Sequence, residues 1–287
     1  MNKTILLDLH FQVTALIRSF PFWHGARWNA LLRIAARMAD TEADEAYVGI
    51  VPERKGTEHW HADDIVRLRL MIHPKHLAAT GMLLRSLTEN NTGEGEFRLG
   101  RTLAFLHAGI PGDHVPISFV NYDRLLLDTA LSPGSLCPAA VKDEAEALGR
   151  LDKWSIHILS PLRLTRPAGD KHHSRYADTA FFCNDQTALS CFLSRIRFPL
   201  MDSHRADELE ISHCDLQWHD LAYNRDRQIK LGGVTGSIVV KGRPDSATAL
   251  TLAGGQYTGV GKNARFGLGM YCIPELENYR RIEIFPK

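Results

Sequence analysis

Apolar and polar positions alternate along the chain in two successive runs that share one pattern. The first half predicts four strands, over residues 4–17, 46–51, 65–72 and 96–106. Apolar residues at helical spacing predict one helix that includes Trp28 and Leu32, and a second helix that begins at His73 and Pro74. The first half therefore has the element order βαββαβ.

The second half repeats this order. Strand patterns occupy 154–165, a stretch that ends near residue 230, 234–241 and 266–273. Helical patterns occupy 185–198 and 247–252, the latter after a helix start at Pro244-Asp245-Ser246. We therefore predict an α+β protein built from two tandem ferredoxin-like (RRM-like, βαββαβ) domains.

The boundary between the domains is predicted from composition. The N-terminal domain takes 1–130, a linker takes 131–150, and the C-terminal domain takes 151–287. The region before residue 150 is rich in proline and ends in an acidic helix candidate. The carboxylates of that helix are expected on a solvated face: Asp143, Glu144 and Glu146.

Composition limits the function classes only loosely. Hydrophobic residues make up 44% and charged residues 23% of 287, as in globular proteins that bury a core. The net charge of +1 excludes binding of nucleic acid by bulk charge, but arginine-rich composition permits one basic face. No apolar run reaches the roughly 20 residues of a membrane helix, and the N-terminus is interpreted as a strand and not a signal peptide. Five cysteines without a C-x-x-C pair indicate reduced thiols and a cytoplasmic protein.

The sharpest local signal is a glycine-rich stretch at 254–269 that contains Lys262 and Arg265. Glycine amides can approach a phosphate closely because no Cβ is in the way. A Walker A loop is excluded because Gln256 stands at its first glycine position and Asn263 follows the lysine. A dinucleotide fingerprint is excluded because a strand follows the loop and does not precede it. Taken alone, the glycines either cradle a phosphate or only shape a tight helix-to-strand connection.

Five short motifs in the C-terminal half occur in an order typical of one family. They are Ser160-Pro161-Leu162-Arg163-Leu164, Leu193-Ser194-Arg195-Ile196, Gly232-Gly233-Val234-Thr235-Gly236, Gly259-Val260-Gly261-Lys262 and Phe266-Gly267-Leu268-Gly269. This half resembles the CRISPR repeat-processing endoribonucleases of the RAMP superfamily. The pattern G-x-G-K-x-x-x-F-G-x-G at 259–269 is the specific part, whereas the N-terminal half resembles the family only in outline.

The resemblance implies two ferredoxin-like domains that bind CRISPR repeat RNA (pre-crRNA) and cut it into guide RNAs. It implies a cut without a metal or other cofactor, in which a ribose 2′-hydroxyl attacks the scissile phosphate. The products would be a 2′,3′-cyclic phosphate and a 5′-hydroxyl. Other subunits of a CRISPR effector complex are further candidate partners, and no membrane partner is expected. The alternative function is a non-catalytic RNA-binding subunit of such a complex.

A metal-free cut needs a base, an acid and a cation that stabilises the charged phosphorane. His24 is the first candidate acid or base, because imidazole titrates near pH 6.5 and because catalytic histidines of the family often lie in this region. Packing of His24 among the neighbouring aromatic residues is the alternative. Arg18, Arg27 and Arg33 surround the first helix and are reserve catalytic candidates, with plain phosphate contact as the alternative for each.

The predicted RNA contacts lie in three places. The glycine-rich stretch contributes Tyr257, Gly259, Gly261, Lys262, Arg265, Gly267 and Gly269. The first helix contributes Arg37, and a basic loop contributes His172, His173 and Arg175. Tyr257 is expected either to contact a base or to pack in the core. No metal site is predicted, since no set of histidines and cysteines has zinc-site spacing.

Overall fold

The structure is a computed structural model of the chain. It describes residues 4–17, 25–53, 59–89, 103–109, 111, 135–167, 175–184, 187–198, 208–220, 222–224, 229–280 and 282–284. The chain divides into two compact units, an N-terminal unit up to Leu136 and a C-terminal unit from Cys137 to Ile284. Among the described helices, none is long and apolar enough to cross a membrane.

The N-terminal unit contains a five-stranded antiparallel sheet with two principal helices. Its described elements are β1 (Thr4–Val13), α1 (Gly25–Met38), α2 (Ala43–Ala46), β2 (Gly49–Pro52), β3 (Ile65–Ile72), a 3-10 helix (Pro74–His76), α3 (Leu77–Glu89), β4 (Leu103–Gly109) and β5 (Ser135–Leu136). The strand order is β2-β3-β1-β4, and β5 pairs with the start of β1. This is the ferredoxin-like arrangement, as predicted.

The strand β1 alternates between two faces of the sheet. One set of its residues joins α1 and α3 in a single buried cluster, which includes Ile5, Leu7, Leu9, Phe11, Val13, Trp28, Leu32, Leu83 and Leu87. Burial of each such side chain contributes about 1.5–3 kcal/mol, so this contact holds the helices against the sheet.

The opposite face of the same strand carries polar groups. The guanidinium of Arg69 donates two hydrogen bonds to the carboxylate of Asp8, at 2.7 and 2.9 Å, and both side chains are buried. Two residues further along β1, His10 stacks on His107 of β4 with ring centroids 4.3 Å apart. The polar residues of β1 therefore pair with polar residues of the adjacent strands β3 and β4, and they do not disrupt the apolar face.

The C-terminal unit repeats the same topology with longer insertions. Its described elements are α4 (Lys142–Leu148), β6 (Lys153–Leu162), α5 (Thr179–Asn184), α6 (Ala188–Leu193), β7 (Glu210–His219), β8 (Ala222–Asn224), β9 (Ile229–Lys230), β10 (Gly233–Lys241), α7 (Ser246–Thr258), a 3-10 helix (Ala264–Phe266), β11 (Tyr271–Cys272) and a 3-10 helix (Pro274–Tyr279). The sheet order β11-β6-β10-β7 matches that of the first unit, and β8 pairs with β9 as a small separate hairpin. The prediction of two tandem ferredoxin-like domains is confirmed.

The ends of some strands and helices differ from the predicted ends because tertiary contacts determine where these elements stop. The helix predicted to end at residue 252 continues as α7 to Thr258, so Gly254 and Gly255 are helical and not part of a loop. A Cβ on Gly254 would lie 2.4 Å from the ring of Phe198, and one on Gly255 would lie 2.2 Å from the Tyr271 hydroxyl. These glycines allow α7 to pack closely on its neighbours.

Three further elements are shorter than predicted. The helix α6 ends at Leu193, because Ile196 leaves the helix and pairs with Val260 in an isolated bridge. The strand predicted over 266–273 shrinks to β11, because a 3-10 helix and glycines with positive φ precede it. In the N-terminal unit, β1 likewise ends at Val13, before the predicted residue 17.

Candidate nucleic-acid interface

The glycine-rich loop between α7 and β11 is defined by left-handed backbone positions. Gly259, Gly261, Gly267 and Gly269 have φ of +74°, +78°, +69° and +77°. Residues with a Cβ rarely adopt these angles. At Gly269 space is also lacking, because a Cβ would lie 2.0 Å from the carbonyl oxygen of Val260. The glycines at these positions are therefore required by the path of the loop.

The amides of three of these glycines are used inside the unit. Gly259 N–H donates to the carbonyl of Gly255 at 2.8 Å, Gly261 N–H to Arg195 at 3.0 Å, and Gly269 N–H to Pro161 at 3.2 Å. The expectation that these three amides cradle a phosphate is therefore wrong. Their role is to shape the connection, which was the alternative that the sequence left open.

The loop places Lys262 beside the segment that follows β6. The N–H of Lys262 donates to the carbonyl of Arg163 at 3.0 Å, and Gly261 makes this approach possible, because a Cβ there would lie 2.6 Å from the same oxygen. The side chain of Lys262 is exposed, and its Nζ lies 5.8 Å from the ring centroid of Tyr176.

Two more cations approach the same ring. The guanidinium carbon of Arg163 lies 4.4 Å from the Tyr176 centroid, and that of Arg175 lies 6.0 Å from it. Arg163 is held in place, because its Nε donates to the carbonyl of Gly232 at 2.7 Å. We refer to Tyr176, Arg163, Arg175 and Lys262 as the Tyr176 cluster. It joins two predicted contacts, Arg175 and Lys262, at one place.

A second cationic pair lies at the loop. Arg197 donates from Nε and Nη2 to the carbonyl of Gly261, at 3.3 and 3.1 Å. Burial of its guanidinium lowers the pKa of Arg197, and the positive charge of the nearby Arg265 lowers it further. Arg265 itself lies half-buried in the 3-10 helix of the loop. Positive charge thus lies within the loop, at Arg265, and next to it, at Arg197.

Tyr257 belongs to the core and not to a surface. Its side chain is 2% exposed, and its hydroxyl donates to the carboxylate of Glu144 at 2.5 Å. The predicted base contact of Tyr257 is therefore replaced by core packing. Glu144 is 1% exposed, so the prediction that it lies on a solvated face is wrong: α4, in the stretch predicted as a linker, packs against α7.

The arginines of α1 lie in the N-terminal unit. Arg33 and Arg37 are exposed on the helix face opposite the core, as their spacing indicates, and Arg27 is half-buried. Trp28 is fully buried between Phe11 and Trp60. Four predicted site residues lie outside the described part of the chain: Arg18, His24, His172 and His173.

Sequence reasoning missed three residues of this interface, namely Arg163, Tyr176 and Arg197. Arg163 was part of a recognised motif, and an arginine next to a tyrosine at 175–176 was visible in the sequence, but neither signal indicates spatial proximity to Lys262. Among the described residues, no three His, Cys, Asp or Glu side chains are grouped so that they could hold a metal ion.

The C-terminal unit, with its loop and cations, matches a family model. Residues 156–271 match the model of the CRISPR-associated endoribonuclease Cas6. This segment, 116 of the 287 residues, is similar to the Cas6 family. The match begins in β6 and ends in β11, so it includes every element that forms the Tyr176 cluster and the Cas6-like glycine loop. No curated protein matches the chain.

Solved structures of Cas6 proteins share the fold of the whole chain. A chain of a partial Cas6-RT-Cas1–Cas2 complex is 18% identical, with a TM-score of 0.64 and coverage of 95% of this chain and 46% of that one. A Cas6-RT-Cas1–Cas2 complex gives the same score and identity, with 95% and 29% covered. Thermus thermophilus Cas6 is 14% identical, with a TM-score of 0.47 and coverage of 95% and 99%. The chain thus spans less than half the length of the first two chains.

Proposed function

We propose that the protein is an endoribonuclease that binds CRISPR repeat RNA and cuts it into guide RNAs without a metal ion. The match of residues 156–271 to the Cas6 family carries this proposal. Its partners would be the repeat RNA and further CRISPR proteins, since solved relatives include a Cas6 product complex and a Cas6-RT-Cas1–Cas2 complex. A cytoplasmic location fits such a substrate.

The charge around the glycine loop supports an RNA substrate. Lys262, Arg175 and Arg163 converge on one aromatic ring, and Arg197 and Arg265 lie beside the same loop. RNA is commonly recognised through cations that contact its phosphates and through aromatic or guanidinium planes that stack on unpaired bases. The net charge of the whole chain is only +1, so RNA binding would depend on such a local concentration of positive charge.

The cut itself is assigned to residues of the N-terminal unit. His24 would exchange the proton of the attacking 2′-hydroxyl or of the leaving 5′-oxygen, because its imidazole is the side chain that titrates nearest neutral pH. Arg27, with Arg18 and Arg33 in reserve, would stabilise the negative charge of the phosphorane. Arg37 and, in the basic loop, His172 and His173 would contact RNA phosphates.

The test uses the full chain in EDTA with transcripts of CRISPR repeats from the source genome. The expected result is one cut whose products carry a 2′,3′-cyclic phosphate and a 5′-hydroxyl. A second RNA with a 2′-deoxy sugar at the mapped cut should bind but stay intact. Cleavage that requires added magnesium would overturn the metal-free mechanism, and binding without any cut would identify a non-catalytic RNA-binding subunit.

The catalytic assignment is tested with matched histidine variants. His24→Ala should lower the cleavage rate by about 10²–10⁴-fold, the contribution expected of a general acid or base. His157→Ala, at an exposed position on β6, should leave the rate unchanged. Normal cleavage by His24→Ala would remove this histidine from the mechanism, and the same comparison is then made with Arg27→Ala.

A further inference from the structure

Two of the three cations of the Tyr176 cluster, Arg175 and Lys262, extend into solvent. The neighbouring Arg166 is a contrasting case: it is buried, its Nη2 lies 3.0 Å from Asp178, and its guanidinium lies 5.0 Å from the ring of Phe181. That arginine has an acidic partner and an apolar ring, so it stabilises the fold. Within the described ranges, neither Arg175 nor Lys262 forms an ion pair with a carboxylate, and both side chains are exposed.

The ring at the centre of the cluster is held by its backbone. Tyr176 pairs with Thr165 in an isolated antiparallel bridge, and Ala177 N–H donates to the carbonyl of Leu164 at 3.0 Å. The guanidinium of Arg166 also donates to the carbonyl of Tyr176, at 3.2 Å. The backbone that carries the ring is therefore fixed before any ligand binds, which lowers the entropic cost of using the ring as a contact.

The cations are fixed to different degrees. The guanidinium of Arg163 is held by its bond to Gly232. At Lys262 the backbone is held by its bond to Arg163, and the side chain is exposed. The guanidinium of Arg163 lies over the half-buried ring of Tyr176, so the two groups form a stack next to two exposed positive charges. Flat π surfaces suit a base, and exposed cations suit a phosphate.

We propose that the Tyr176 cluster is a subsite for one unpaired nucleotide of single-stranded RNA. Its base extends the stack of Tyr176 and Arg163, and its phosphate lies between Arg175 and Lys262. The proposal rests on the RNA substrate proposed above, and it adds Tyr176 and Arg163 as residues that read an unpaired position of that RNA. A duplex offers no exposed base face at such a site, so the subsite selects single-stranded flanks over paired stems.

Fluorescence anisotropy in EDTA tests the subsite independently of cleavage. The probe is a labelled repeat RNA that carries a 2′-deoxy sugar at the mapped cut. Tyr176→Leu should lower its affinity by about 5- to 150-fold, the loss of one base–aromatic stack, while Tyr176→Phe stays near wild type. Arg175→Gln should reduce the slope of log affinity against log salt by about 0.7, the value for one phosphate of a single strand. Arg150→Gln, at an exposed position after α4, should change neither.

The outcomes separate this proposal from the one on which it rests. If the wild type binds the RNA and Tyr176→Leu binds it equally well, the subsite is overturned but the proposed function is not. If the wild type does not bind RNA, both proposals are overturned. Heparin serves as a polyanion without bases, and an equal loss of heparin affinity in Tyr176→Leu would show that the ring only positions the cations. A crosslinking experiment on the wild-type protein does not depend on how the variants fold. RNA with 4-thiouridine in its single-stranded flanks should crosslink to Tyr176 under ultraviolet light, and crosslinks found only elsewhere would overturn the subsite.

Discussion

The hydroxyl of Tyr257 donates a 2.5 Å hydrogen bond to the buried carboxylate of Glu144, 113 residues earlier in the chain. The other carboxylate oxygen of Glu144 accepts from Nε2 of Gln256 at 2.9 Å. Burial raises the pKa of Glu144 to about 7, although these bonds and the charge of Arg280 act to lower it. The carboxyl group therefore joins α4 to the end of α7, directly before the glycine loop.

This raised pKa predicts a stability change with pH. The folded state holds the proton of Glu144 more tightly than an unfolded chain with the ordinary value of 4.5, so the stabilisation is complete below pH 4.5 and is lost as the pH rises through 7. Between pH 5 and pH 8 the loss amounts to about 2.5 kcal/mol. Glu144→Gln cannot titrate, so its free energy of unfolding, measured with urea, should lack this part of the fall.

The matched control is Glu146→Gln on the same helix, where the side chain is 51% exposed. It should show the same pH dependence as the wild type. If the wild type and Glu144→Gln lose stability in parallel from pH 5 to pH 8, the buried carboxyl is not the titrating group.

Local patterns sufficed for the fold where apolar and polar residues alternate along an element. The strand predicted over 65–72 coincides with β3, because Val66 and Leu68 are buried in the core while Arg67 and Arg69 alternate with them. The same alternation in both halves led to the correct topology. A strand period of two residues is a local property, so the sequence alone reveals it.

The sequence could not predict features that depend on contacts between distant segments of the chain. Glu144 lies in a polar helical pattern, and only Gln256 and Tyr257, more than 100 residues away, explain its burial. The Tyr176 cluster likewise joins Arg163 and Lys262 through a fold that no local pattern encodes. The assignments of His24, Arg18, His172 and His173 remain predictions.

Substitution of Gly269 should disrupt the loop. Its φ of +77° is unfavourable for alanine by roughly 1–2 kcal/mol, and the new Cβ would in addition lie 2.0 Å from the Val260 oxygen. We therefore expect Gly269→Ala to lower the melting temperature, with a total cost of about 3 kcal/mol or more because backbone cannot move aside cheaply.

Gly149 offers a matched control for that substitution. It ends α4 with a φ of −62°, and a Cβ there would lie 3.4 Å from the nearest atom, the oxygen of Ala145. Gly149→Ala should leave stability unchanged or raise it by up to about 1 kcal/mol, because alanine restricts the unfolded chain. Equal melting temperatures for Gly269→Ala and Gly149→Ala would contradict the steric account of the loop.

Gly254 provides a case in which packing outweighs helix propensity. Alanine inside a helix is ordinarily more stable than glycine by about 1 kcal/mol. Here the new methyl group would lie 2.4 Å from the ring of Phe198, so Gly254→Ala should destabilise the protein by about 1–3 kcal/mol.

Urea unfolding of Gly254→Ala, Phe198→Ala and the double variant measures the coupling between the two positions. The double variant should lose less than the sum of the single losses, since removal of the ring makes room for the methyl group; strict additivity would mean that Phe198 is not the obstacle.

The stacked pair His10 and His107 predicts an unusual titration in the N-terminal unit. The pKa of His10 is lowered to about 4, mainly by burial and next by the proximity of His107, whose effect is larger than the opposing effect of Asp8. Because an unfolded histidine titrates near 6.5, the folded state binds this proton less tightly. The resulting stabilisation is complete above pH 6.5 and is lost as the pH falls through 4.

Substitution at His107 separates these two causes. His107→Gln removes the neighbouring charge but keeps a polar side chain in its place, so the pKa of His10 should rise part of the way toward 6.5 while burial still holds it below that value. The measurement is a titration of the imidazole resonances by NMR, with the His10 signal assigned by its loss in His10→Gln. His61→Gln, at an exposed position on another segment, should leave the His10 midpoint unchanged. An unchanged midpoint in His107→Gln as well would mean that burial alone sets the pKa, and that the stacked ring carries no charge during the titration.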